Sequence, residues 1–297
     1  WSFLYIFKKK KMIIWLASYP KSGNTLLRSM LAAYFFSTDG IFNFDLIKNI
    51  KQFPNITLFE NLGIDIRNEE EVIKNYIKVQ ETFNNKNSLQ FCKTHSCLFN
   101  YQKKHSFTNL DNSLGAIYVV RDPRNVVTSY AKFSKNSPEN VANIMIDQTY
   151  VSGDLNASKN RGERTTILSG TWASNFQTWK SFNYQNRYLL IKYEDLTTNT
   201  ESVFTKILEF IFNLNKTKFN IDKKKFKNVI KTTSFEYMQR LEKKDGFQES
   251  KIDSETNERI PFFNLGPKND WNKLLEAKII KKIEIAFNEE MKELGYL

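Results

Sequence analysis

The chain has 297 residues, 41% of them hydrophobic, with 44 basic against 32 acidic side chains and a formal charge of +12. That length supports one large α/β domain or two small ones around a sizeable core. No apolar run is long enough to span a bilayer, and two cysteines exclude a disulfide-stapled scaffold and fit a reducing, cytoplasmic setting. The positive charge favours anionic ligands. The lysines are dispersed, however, and no nucleic-acid-binding motif stands out, so no nucleic-acid partner is expected.

Trp1–Phe7 is apolar but short and runs into Lys8–Lys11, while Met12 stands directly before the first strand. Residues 1–12 are read as an N-terminal extension outside the fold with Met12 as the natural start, and 13–297 as a single domain. A truncated membrane anchor is the competing reading of the extension; no membrane insertion is expected.

Ile13–Ala17 is a short apolar run rich in β-branched and aromatic residues, which predicts a buried strand. Tyr19 and Pro20 stop it, Gly23 permits a tight or left-handed turn, and a helix starts near Thr25 with Leu26, Leu27, Met30, Leu31 and Tyr34 along its apolar face. Strand, turn and helix in that order direct backbone N–H groups to one point at a helix N-terminus, where anions bind. Lys21 adds a mobile charge there, and Ser22 and Thr25 add hydroxyl donors. The order departs from a Walker loop, in which the lysine follows the last glycine: here Lys21 precedes Gly23, which disfavours a nucleoside triphosphate.

Farther on, Glu70–Val79 has helical periodicity and Leu89–Thr94 reads as a second strand ending in Lys93, Thr94 and His95. An imidazole at a strand end can take a proton near neutral pH. The other histidine, His105, lies in a polar, Lys-rich stretch. Ala116–Val120 is a third strand, running into Arg121-Asp122-Pro123-Arg124 before a helix over Asn125–Phe133. Arg121 suits bidentate phosphate recognition, and Ser129, about two turns on, can add a hydroxyl. Two separate anion cradles match a nucleotide phosphorylated at two places. Residues 134–170 are polar and poorly periodic and predict a mobile loop over an acceptor. Trp172 and Trp179 read as core, Tyr188–Tyr193 as a fourth strand, and Leu274–Leu294 as an amphipathic helix with Ile279, Ile280, Ile283, Phe287 and Met291 on its apolar side. Strands alternating with helices indicate α/β architecture, a mainly parallel central sheet flanked by helices, with ligands beyond the carboxyl ends of the strands.

The run IIWLASYPKSGNTLLR resembles the 5′-phosphosulfate loop of sulfotransferases that use 3′-phosphoadenosine 5′-phosphosulfate (PAPS), and Lys93-Thr94-His95, VVRDPRNVVTSY, Tyr193-Glu194-Asp195-Leu196 and Thr233-Ser234-Phe235 follow in the order of the cytosolic type. The resemblance implies one sulfotransferase domain of P-loop-like nucleotide-binding architecture, with PAPS as co-substrate and no metal. It makes His95 the catalytic base and Lys21 and Lys93 the cations at the sulfuryl group. Lys21, Ser22, Gly23, Asn24 and Thr25 would hold the 5′ side, Arg121 and Ser129 the 3′-phosphate, and Tyr193, Thr233, Ser234 and Phe235 the adenine.

The C-terminal loop departs from the family pattern: Asn264-Leu265-Gly266 stands for Arg-Lys-Gly, so Gly266 remains and Lys268 is the candidate replacement cation. Leu26 stands where many members stack a tryptophan on adenine. The reaction implied is direct in-line sulfuryl transfer to a hydroxyl or amine on a small-molecule or glycan acceptor, shaped by loops such as 37–68 and 134–170. The alternatives are a kinase with an unusual loop and a non-catalytic nucleotide- or polyanion-binding protein.

Overall fold

The computed structural model describes residues 13–84, 89–148, 167–253 and 256–297. Five parallel strands form the central sheet: β1 (Ile13–Ala17), β2 (Lys51–Gln52), β3 (Gln90–Thr94), β4 (Ser113–Val120) and β5 (Tyr188–Lys192), in the spatial order β2-β3-β1-β4-β5. From β1 the chain goes to the edge strand β2, returns to β3 beside β1 and then crosses to the other side, so a crevice opens at the carboxyl end of β1 between β3 and β4.

Every residue of β1 is fully buried. Side chains alternate across a pleated strand, and Ile13, Trp15 and Ala17 enter one core while Ile14 and Leu16 enter the other. The first core is aromatic: Trp15 packs against Phe53, Phe107 and Trp179 at centroid separations of 5.7, 5.2 and 6.2 Å, and its indole N–H donates to Ser113 Oγ. The second core includes Leu27, Met30 and Leu31 of helix Asn24–Phe36 and Phe204, Ile207 and Leu208 of helix Thr200–Leu214, and the Tyr34 and Phe204 rings of the two helices lie 5.9 Å apart.

Several boundaries move. The strand expected over Leu89–Thr94 starts at Gln90, and the one expected over Ala116–Val120 reaches back to Ser113. The strand expected over Tyr188–Tyr193 stops at Lys192, because Tyr193 opens helix Tyr193–Thr198 with Glu194 and Asp195 in its favourable first turn. Helix Asn24–Phe36 starts one residue before Thr25, and helix Pro123–Ser134 starts two residues before Asn125, where Asp122 caps Arg124 N–H. The Glu70–Val79 periodicity belongs to two helices, Glu69–Lys74 and Tyr76–Asn84, parted at Asn75. The C-terminal helix is broken at Phe287 into Ala277–Ala286 and Asn288–Glu293, with Ile279, Ile283, Phe287 and Met291 all buried and Ile280 partly so.

The loop expected over 134–170 contains helix Pro138–Ile146, which Ser137 caps and whose Val141, Ala142 and Met145 are buried. Its short apolar spacing was obscured by flanking Asn and Ser. Residues 149–166 of that stretch, like the extension 1–12, lie outside the described residues. Trp172 and Trp179 are core, as read. No described helix is long and apolar enough to cross a membrane.

Replacing Trp15 by Ala removes the indole that joins three aromatic neighbours and Ser113. Urea unfolding should show a loss of about 3–5 kcal/mol; a loss under 1 kcal/mol would mean that the aromatic core does not depend on it.

Candidate active site

The turn after β1 carries two left-handed residues, Lys21 at φ 64° and Gly23 at φ 103°. Glycine is required at the second: a Cβ on Gly23 would sit 2.3 Å from the Tyr193 ring. The following helix has no side-chain cap, so the N–H groups of its first turn are not claimed by a capping oxygen. Asn24 braces the turn by donating from Nδ2 to Leu16 O at 2.8 Å and Ser18 Oγ at 3.2 Å. Ser22 Oγ and Asn24 Oδ1 are buried with no hydrogen-bond partner.

Beyond the ends of β1, β3 and β4 lies a cavity of about 1480 Å³, and Lys21, Lys93, His95, Arg121 and Ser129 all line it. His95 Nδ1 lies 2.8 Å from the Ser18 carbonyl, which can only accept, so that nitrogen carries a proton and Nε2 is the basic nitrogen of the neutral ring. Asn175 Nδ2 holds the His95 carbonyl at 3.0 Å, and the two core tryptophans fix neighbouring backbone: Trp179 donates to Ser96 O and Trp172 to Arg121 O.

Arg121 clamps the two loops together. Its Nη1 donates to Lys21 O at 3.3 Å and its Nη2 to Gly266 O at 3.2 Å, with the guanidinium 4.2 Å over the Tyr193 ring. Burial lowers its proton affinity, and its Nε is buried without a partner. The C-terminal loop is stitched to helix Pro123–Ser134 by Thr128 Oγ1 to Asn269 Oδ1 at 2.8 Å, Asn269 Nδ2 to Asn125 O at 2.8 Å and Trp271 N–H to Asn125 Oδ1 at 3.2 Å.

Lys21 Nζ sits between two rings, 3.9 Å from the centroid of Phe133 and 4.2 Å from that of Phe262. Burial pushes this ammonium down to about 7, against the opposing pull of the Glu249 carboxylate. Cys92 and Cys97 are free thiols that burial pushes up to about 12 and about 11, so neither is a nucleophile at neutral pH.

Gly23, Asn24, Thr25, Leu26, Tyr193, Thr233, Ser234, Phe235 and Gly266 also line the cavity. Phe235 packs on Gly266, where a Cβ would lie 2.3 Å from its ring. Ser22 is buried behind the turn, and Lys268 is exposed and outside the cavity wall. No residue of the expected acceptor loop 37–68 lines the cavity, and Ile167 is the one described residue of 134–170 that does. The segment after helix Phe235–Asp245 also lines the cavity, with Gln248, Glu249, Lys251 and Ile252.

Sequence reasoning missed Lys132 and Phe133, which also line the cavity and follow Ser129 at helical spacing, a signal that was present. It also missed Arg28 and Glu249. Glu249 stands outside any regular element and gave no signal.

A family model described as the sulfotransferase domain matches residues 11–295. Flavonol 3-sulfotransferase of Flaveria bidentis is 24% identical over 295 residues, covering 97% of this chain and 85% of that protein. Mouse sulfotransferase 2A1 is 26% identical over 185 residues, which is 59% of this chain and 56% of the relative. Among solved structures, mouse sulfotransferase SULT7A1 complexed with PAP superposes with a TM-score of 0.55 at 16% identity, over 94% of this chain and 84% of that one. Retinol dehydratase in complex with androsterone and the inactive cofactor PAP gives 0.56 at 14% identity, over 94% and 80%.

A lysine with a pKa of about 7 is charged below pH 7 and neutral above it. Competitive acetylation across pH 5–10 should therefore give Lys21 a midpoint near 7, while exposed lysines titrate near 10. A Lys21 midpoint near 10 would mean that the ring cage does not desolvate it.

Proposed function

The chain belongs to the sulfotransferase domain family, whose enzymes take the sulfuryl group from PAPS, and on that premise we propose direct in-line transfer to a small-molecule hydroxyl with His95 as the base. The observation that carries this reading is the meeting of Lys21, His95 and Arg121 around one cavity at the ends of three adjacent strands. The residues fit the nucleotide: Arg121, which lines the cavity, keeps a buried Nε donor without a partner, and the uncapped helix turn offers its N–H groups.

His95 Nε2 takes the acceptor proton as the acceptor oxygen bonds to sulfur. The bond from sulfur to the 5′-phosphate oxygen breaks, and its electron pair leaves with 3′-phosphoadenosine 5′-phosphate (PAP). Lys21 and the turn N–H groups stabilise the charge on that oxygen. Binding of the phosphosulfate draws Lys21 back to its charged state, so nucleotide binding takes up a proton above pH 7. Arg121 and Ser129 receive the 3′-phosphate, and Lys132, on the same helix one turn past Ser129, supplies the cation that Asn264 and Leu265 no longer provide. Lys93 stands by the sulfuryl group.

The flavonol and steroid names of the relatives support a small-molecule acceptor rather than a glycan, and a relative named cytosolic sulfotransferase 12 supports a cytoplasmic setting. Lys21 preceding Gly23 disfavours a kinase.

Saturation with PAP at about a hundred times its Kd should stabilise the fold by about 2.7 kcal/mol and raise the unfolding midpoint on the order of 5 °C. ADP should do much less. Lys132→Ala should narrow that gap and Lys268→Ala should leave it. Equal shifts with ADP would count against a 3′-phosphate site.

Replacement of His95 by Asn should lower kcat by about 10²–10⁴ with PAP affinity retained, as read by stopped assays over a phenol panel. Undiminished turnover would remove His95 from the reaction.

A further inference from the structure

Glu249 is the one acidic side chain among the described residues that ties the cavity's rear cations together. Its Oε1 lies 2.5 Å from Arg28 Nη1, and its two oxygens lie 3.4 and 3.3 Å from Lys93 Nζ. The three side chains are only 5% (Arg28), 3% (Lys93) and 11% (Glu249) exposed, so this is an interior triad rather than a surface contact. Arg28 belongs to the helix that follows the turn after β1, Lys93 to the end of β3, and Glu249 to the cavity-lining segment after helix Phe235–Asp245.

That segment is anchored independently of the triad. Glu242 accepts from the Phe262 and Phe263 N–H groups at 2.7 and 2.9 Å and from Ser250 Oγ at 2.5 Å. Asp253 pairs with Lys135, and Phe247 stacks on Phe44 at 4.5 Å. Glu249 is therefore held by neighbours on both sides, and its carboxylate is delivered to Lys93 as a fixed partner.

We propose that Glu249 is a positioning residue for sulfuryl transfer: braced by Arg28, it holds the Lys93 ammonium against the cavity wall where the sulfuryl group of PAPS sits. The proposal rests on the sulfotransferase reading and assigns to Arg28 and Glu249 a part in it. A buried ammonium needs a compensating charge. The Glu249 carboxylate, 3.3 Å from the ammonium, gives that compensation. The Arg28 charge in turn offsets the carboxylate, so the triad keeps a net positive charge towards an anionic donor.

The distinguishing readout is the affinity for PAPS relative to PAP, which differ only by the sulfuryl group and need no acceptor. Calorimetry on the full chain should show Glu249→Gln weakening PAPS about tenfold while changing PAP less than threefold. Lys93→Met should do the same, and the double variant should be no worse than Lys93→Met alone, because both changes remove one interaction. Glu249→Asp, which keeps the charge, should recover part of the loss and serves if the Gln variant does not fold. Equal weakening of both nucleotides, an unchanged PAPS-to-PAP ratio, or additive losses in the double variant would overturn the role of Glu249. Tighter PAP binding by Glu249→Gln would also overturn it, since the carboxylate would then be competing with the nucleotide. Wild-type protein that binds neither nucleotide would overturn the sulfotransferase reading, and this role with it.

Discussion

Buried positive charge at the carboxyl ends of the strands is the constraint to which the rest of the structure answers. Lys21, Lys93 and Arg121 line one crevice, with Arg28 buried against the Glu249 that also lines it, and like charges repel strongly there because the surroundings screen them poorly. Each is handled differently. Arg121 is stacked on Tyr193 and spends its hydrogen bonds on two backbone carbonyls. Arg28 and Lys93 share Glu249. Lys21 receives ring faces and loses proton affinity. With its proton affinity lowered to about 7, Lys21 in the turn after β1 is a cation whose charge a nearby anion can restore.

Holding those groups in place is the work of the sheet and of indole side chains. Three adjacent parallel strands end together, so the side chains that follow them converge without any long loop. Trp172 and Trp179 have their bulk in the core and their N–H groups on the backbone of Arg121 and of Ser96, the neighbour of His95. A packing residue thereby sets the position of a functional one. The C-terminal loop works similarly: its lost Arg and Lys do not loosen it, because Asn269 and Trp271 tie it to the helix that carries Ser129.

The strand–turn–helix corner at Lys21 and Gly23 was legible because its signal is local. A glycine, a lysine and two hydroxyls within a few residues, between a buried strand and an amphipathic helix, leave few other conformations. The strands were legible for the same reason, since β1 and β4 are buried on both faces and read as apolar runs. Helix Pro138–Ile146 was missed because only one turn's worth of apolar residues faces the core and its neighbours are polar. Lys268 read as a substitute cation by proximity in sequence, yet the short turn Gly266–Lys268 directs it to solvent, and Lys132 lines the wall from another element.

The sequence by itself determined the α/β class and the identity of the strand-end groups, because each depends on residues adjacent along the chain. Only the tertiary structure decided which cations are compensated and by what. Glu249 and Arg28 are 221 residues apart and Glu249 and Lys93 are 156 apart. The rings that enclose Lys21 come from two distant segments, Phe133 and Phe262. Electrostatics in a buried crevice is set by distance in space and by exclusion of water, and neither is written in the spacing of residues along the chain.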